Sequence, residues 1–162
     1  MVEEVSVFRT ALLVLVLMMA LPALLAQQKV DGGGMFMPVA AFDPARDAAA
    51  DINAAVVEAK RTGKRVLIDV GGEWCIWCKR LDQFFLDNED VADFLQRKYV
   101  TVKVNYSKEN KNEAVLSRFP KVAGYPHLFV LDATGVLLHS QDSGKLEEGK
   151  GYVPNETSTL SF

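Results

Sequence analysis

Beyond residue 42 the apolar residues follow two alternating rhythms, one helical and one extended. Ala48, Ile52, Ala55, Val56 and Ala59 recur at helical spacing behind Asp43-Pro44, a capping side chain followed by a proline suited to the first helical position, and the pattern stops near Thr62-Gly63. Arg65-Val66-Leu67-Ile68-Asp69-Val70 is a short apolar, β-branched run closed by Gly71-Gly72, which predicts a buried strand. From Cys78 to Leu86 the apolar positions again fit a helix, and residues 88–98 predict a second one with Val91, Phe94 and Leu95 inward. Residues 99–106 alternate as a strand, 107–112 are polar and predict a loop, and a short helix over 113–119 is stopped by Pro120. His127 to Asp132, the turn Ala133-Thr134-Gly135 and Val136 to Ser140 predict a hairpin. Strands alternating with helices indicate an α/β domain: a central mixed sheet, mainly parallel, with helices on both faces and a β-hairpin near the C-terminus.

The first 42 residues of the 162 behave differently. Ala11 to Ala26 is an almost unbroken apolar run, preceded by Arg9 and followed by Gln27-Gln28-Lys29. Residues 1–26 therefore read as a secretory signal peptide, the run being shorter than the roughly 20 apolar residues that span a bilayer. An uncleaved N-terminal anchor is the alternative and the one expected contact with a membrane. Residues 27–42 hold Asp31-Gly32-Gly33-Gly34 and Met37-Pro38 without any period and predict a flexible linker, leaving 43–162 as the folded domain. The chain is expected to be exported, to the periplasm or another extracytoplasmic space. A net charge of −3 with dispersed basic residues carries no footprint for nucleic acid.

Only two cysteines are present, Cys75 and Cys78, so an extensive disulfide framework is excluded. Placed between a predicted strand and a predicted helix, they have a specific use: the helix N-terminus presents unpaired N–H groups and the positive end of its dipole to the first thiol, favouring the reactive thiolate. The two-residue spacer lets the second thiol attack a mixed disulfide formed at the first. Cys75 is thus the expected nucleophile and Cys78 the resolving thiol, with Trp74 and Trp77 forming an apolar rim for peptide-like substrates. A structural zinc site would need four ligands, and His127 and His139 are the only other soft candidates, so no metal is expected.

The segment Ile68-Asp69-Val70-Gly71-Gly72-Glu73-Trp74-Cys75-Ile76-Trp77-Cys78-Lys79 resembles the thioredoxin pattern V-D-F-W-A-E-W-C-x-x-C-K at identical spacing. Gly124-Tyr125-Pro126-His127, the strand after it and Thr134-Gly135 are similar to the family's G-I-P-T, strand and N-G turn. The resemblance covers about residues 45 to 140 and implies a single thioredoxin-fold domain. It implies further that Pro126 is a cis-proline facing the disulfide and that Asp69 assists proton transfer at the resolving cysteine, which agrees with the raised pKa expected of a carboxyl in an apolar strand. Lys103 matches a lysine that pairs with this aspartate, the other reading being a solvated charge on an edge strand. Tyr125 would shape the substrate groove. His127, after the proline, would touch substrate or perturb Cys75, unless it merely begins a strand.

The function so implied is thiol–disulfide exchange in the cell envelope without a further cofactor, reducing or relaying electrons to protein or peptide disulfides, with a separate redox partner to recharge the pair. A disulfide oxidase or isomerase and a non-catalytic binding or chaperone module are the alternatives. Ile76-Trp77 departs from both the Gly-Pro of reducing thioredoxins and the Pro-His of strong oxidants, and the missing histidine favours the reducing direction. Lys145 to Phe162 offers little for the family's final helix.

Overall fold

A computed structural model describes residues 36, 38–149 and 151–152 of the chain. The apolar run of residues 11–26, and with it the signal-or-anchor expectation, lies outside the described residues. So does most of the expected linker.

In chain order the elements are α1 (Ala48–Thr62), β1 (Arg65–Gly71), α2 (Ile76–Asp87), α3 (Glu89–Lys98), β2 (Tyr99–Asn105), α4 (Glu113–Leu116), β3 (His127–Leu131), β4 (Leu137–Asp142), a 3₁₀ turn (Ser143–Leu146), β5 (Glu147–Glu148) and β6 (Gly151–Tyr152). The four longer strands form one sheet in the order β2-β1-β3-β4, with β1 parallel to β2 and antiparallel to β3, and β3–β4 the expected hairpin. β1 is central, which is why it is apolar on both faces. Its even residues Val66, Ile68 and Val70 pack with Ala55 and Ala59 of α1, whereas Leu67 packs with Leu81, Phe84 and Leu95 of α2 and α3. The two-residue period of the strand therefore sends Asp69 to the face that α2 covers.

Two expectations are corrected at the N-terminal boundary. α1 does not start at Asp43-Pro44: Asp43 Oδ1 closes a local turn by accepting from Ala45 N at 2.8 Å, and Asp47 is the cap, its Oδ1 accepting from Ala49 N at 3.0 Å and Ala50 N at 3.1 Å. The C-terminal end is as expected, with Gly63 in the left-handed conformation that favours glycine. Residues 38–42 are not part of a free tether either. Val39 and Phe42 are buried, and Val39 bridges in parallel to Val102 on the outer edge of β2, because the apolar side chains there have a core to enter. At the other end, no α-helix follows β4 among the described residues; the 3₁₀ turn and the β5–β6 pair stand there, with Leu146 and Tyr152 buried against α2.

Candidate active site

Gly71 and Gly72 end β1 and let the chain turn into α2, and both are required by space. A Cβ on Gly71 would collide with Cys78 Sγ, and one on Gly72 would lie 2.7 Å from Trp74 Cδ1 and 2.9 Å from the Tyr106 carbonyl. After the turn, Cys75 is the N-cap of the twelve-residue helix α2. Its sulfur accepts from Cys78 N at 3.1 Å, the position in which helix N–H groups and the helix dipole stabilise negative charge. Cys75 and Cys78 are joined in a disulfide, both buried, Cys75 4 % exposed.

Behind the disulfide lies a charged group built by register. Asp69 and Lys103 are cross-strand partners in the parallel β1–β2 pair, both on the α2 face. Asp82, four residues after Cys78 and so on the same side of α2, closes the group. Lys103 Nζ donates to both carboxylate oxygens of Asp82 and stands 3.8 Å from Asp69 Oδ2. The Lys103 side chain is only 12 % exposed, which settles the choice between a solvated edge lysine and a paired one in favour of pairing. Asp69 is 2 % exposed and its Oδ1 has no hydrogen-bond partner. Burial raises its pKa to about 7, against the pull of Lys103 and with a smaller push from Asp82. Asp69 is two residues before Gly71 on β1, on the strand face that Cys78 Sγ covers at Gly71, and a carboxyl there that changes protonation near neutrality is equipped to take or give a proton.

The Tyr125-Pro126 bond is cis, as the resemblance implied; Pro126 is buried and Tyr125 packs against the cluster that holds the two cysteines. Ser143, which follows β4, donates its hydroxyl to the Pro126 carbonyl at 2.5 Å. Trp74 is 59 % exposed and its Nε1 donates to the Tyr106 carbonyl at 2.7 Å. Its ring meets Tyr125 edge-on at 5.9 Å, and Tyr125 stacks on Tyr106 at 4.7 Å. Burial and the neighbouring Tyr106 push the Tyr125 phenol up to about 12, so it is neutral at any ordinary pH. Trp74, Tyr125 and exposed Ile76 make the apolar rim around the disulfide.

Two of the expected substrate contacts have other neighbours as well. Trp77 packs, like Tyr125, against the cluster of Phe42, Cys75 and Cys78, while its half-buried indole meets Tyr152 edge-on at 6.0 Å and carries the Arg80 guanidinium 4.4 Å from the ring centroid. His127 is buried, its ring beside Phe129 at 4.7 Å and its Nε2 2.8 Å from Ser140 Oγ, because the first residue of β3 points into the core on the α1 face. Burial lowers its pKa, so it stays a neutral packing residue rather than a substrate contact. Four participants were not anticipated: Asp82, Tyr106, Phe42 and Tyr152. Only Asp82 left a usable signal, the i, i+4 spacing from Cys78.

A family model described as thioredoxin-like matches residues 47–133. Disulfide bond reductase DsbH of Chlamydia pneumoniae is 26 % identical over 159 residues, covering 90 % of this chain and 92 % of that protein. Thiol:disulfide interchange protein DsbD of Citrobacter koseri is 30 % identical over 84 residues, 52 % of this chain but 14 % of its own length. A solved structure described as disulphide isomerase from Xylella fastidiosa Temecula1 superposes with a TM-score of 0.58 at 23 % identity, over 64 % of this chain and 80 % of that one, a likeness of fold.

Proposed function

The chain belongs to the thioredoxin-like family, and from that premise we propose that it is a thiol–disulfide oxidoreductase of the cell envelope that reduces, or relays electrons to, protein disulfides. The observation that carries this reading is the Cys75–Cys78 pair at the N-terminus of α2 with the buried Asp69 carboxyl behind it. In the reduced protein the Cys75 thiolate attacks one sulfur of a substrate disulfide, forming a mixed disulfide and releasing the other sulfur as a thiolate. Asp69, ionised, takes the proton of Cys78. The Cys78 sulfur then attacks Cys75 Sγ, which restores the Cys75–Cys78 disulfide and releases the second substrate thiolate. Two electrons have passed to the substrate, and a separate dithiol partner must return them. The exposed faces of Trp74 and Ile76 beside Tyr125 offer an apolar seat for an extended peptide around its disulfide. The name of the full-length relative, a disulfide bond reductase, supports the reducing direction, and the envelope setting rests on the N-terminal apolar run. No metal or organic cofactor enters these steps.

Cysteine replacement separates this reading from a binding module with a structural disulfide. Cys75→Ser is expected to abolish reduction of a protein disulfide. Cys78→Ser is expected to accumulate a mixed disulfide with substrate, seen as a dithiothreitol-sensitive adduct on a non-reducing gel. Full activity in Cys75→Ser, or no adduct in Cys78→Ser, contradicts it.

A further inference from the structure

The family match begins at residue 47, yet the floor beneath the disulfide is built by a residue ahead of it. Phe42 is 4 % exposed and packs with Cys75 and Cys78 in one buried cluster. It is delivered there by the segment on the edge of β2: Lys103 N donates to the Val39 carbonyl at 3.3 Å, and Asp43 N to the Ala41 carbonyl at 3.1 Å, fixing the backbone on either side of Phe42. The space it occupies exists because Gly71 has no side chain, and a Cβ there would lie 3.1 Å from Phe42 Cζ. Where the thioredoxin pattern carries a tryptophan at the end of this strand, the chain has Gly71 and takes its aromatic group from another segment.

The same ring touches the charged group. Lys103 Nζ stands 4.4 Å from the centroid of Phe42, and this is the ammonium bound to Asp82 and 3.8 Å from Asp69. An ammonium over an aromatic face is attracted to it, and the attraction grows when water is excluded. Phe42 thus lies against the sulfurs and the lysine together.

We propose that Phe42 is a positioning residue of the redox site: an apolar floor, supplied by the segment ahead of α1, that keeps water from the Lys103–Asp69 pair and holds the lysine between its two carboxylates. This rests on the proposed function only for its consequence in turnover, since the floor can be tested in the closed disulfide. Asp69 is faced by Lys103 from β2, Asp82 from α2 and the Tyr152 phenol from β6; its β3 neighbour Leu128 is uncharged. Because burial is the larger cause of the raised Asp69 pKa, admitting water must stabilise the carboxylate and lower it.

The test is a carboxyl NMR titration of Asp69 in the oxidised full-length protein, wild type against Phe42→Ala and Phe42→Leu. Phe42→Ala is expected to lower the midpoint by about one pH unit, a tenfold loss of proton affinity, whereas Phe42→Leu, which keeps an apolar cover, stays near wild type. A packing role alone would lower the melting temperature and leave the midpoint in place. A wild-type midpoint in folded Phe42→Ala overturns the proposal, and so does a fall in Phe42→Leu as large as in Phe42→Ala. If Phe42→Ala does not fold in buffer, it and the wild type are titrated in sucrose, which favours the compact state, a lowered midpoint in Phe42→Ala supporting the proposal and an unchanged one overturning it.

Discussion

Asp69 shows how one residue links stability to chemistry. Its folded-state pKa, about 7, lies above the ordinary carboxylate value of 3.8, so the folded protein holds a proton that the unfolded chain has released. Stability from this group is complete below about pH 4 and is lost as the pH rises through 7. Asp69→Asn is therefore expected to stabilise the oxidised protein at pH 8 by roughly 2–4 kcal/mol and to change it little at pH 4, as urea unfolding at the two pH values would show. The same substitution should slow resolution of the mixed disulfide, because Cys78 loses its proton acceptor; in wild type that step should accelerate as the pH passes about 7. A pH-independent stability change would remove the buried proton from the account. Asp69 and Lys103 were legible through the resemblance to the thioredoxin motif, with the apolar strand around Asp69 agreeing; that they share one face comes from the β1–β2 register. Asp82 was less so, since the helical pattern does not by itself say which residues of α2 face the lysine. His127 was misplaced because proximity in sequence to Pro126 does not decide which way a side chain points.

At the scale of elements, the ends of the domain carry most of what the pattern of apolar residues concealed. Asp43-Pro44 has the composition of a helix start, yet Asp47 makes the capping bonds of α1. Asp47→Ala should then cost about 1 kcal/mol in urea unfolding and Asp43→Ala less, and the reverse order would contradict the assignment. Past β4 the segment was too short to predict a helix, and no period announces the β5–β6 pair, two residues per strand. Its contribution is Tyr152, buried against Trp77 and Phe84, with ring centroids 6.0 and 6.1 Å apart. Its phenol is pushed up to about 12 by burial, with Ser143 offsetting part of the effect. Tyr152→Ala should destabilise the protein by about 3 kcal/mol and shift the Trp77 fluorescence toward that of a solvated indole. A surface-like cost below about 0.5 kcal/mol would mean that the pair does not clasp α2. The loop of residues 107–112 is polar, as expected, but is tied down by asparagine side chains: Asn105 Nδ2 donates to the Asn110 carbonyl at 2.8 Å, and Asn112 Nδ2 to the Asn105 carbonyl at 2.7 Å. It carries Tyr106 into the rim, a tertiary placement that composition does not encode.

For the molecule as a whole, three parts of the chain meet at one disulfide. β1 and α2 hold the cysteines, the Tyr125-Pro126 bond and the loop bearing Tyr106 hold the rim, and the segment ahead of α1 supplies the floor. The family motif made the first legible and half of the second; the floor lies outside the matched residues. An apolar rim together with a buried proton acceptor suits a pair that opens and closes in turnover, whereas a structural disulfide needs neither. The equilibrium reduction potential of Cys75–Cys78 tests this most directly, titrated in dithiothreitol buffers with thiol trapping. The account predicts a reversible couple near the thioredoxin end of the scale, about −270 mV, and a value near the strong-oxidant end, about −120 mV, or a bond that does not open in excess reductant, would contradict it.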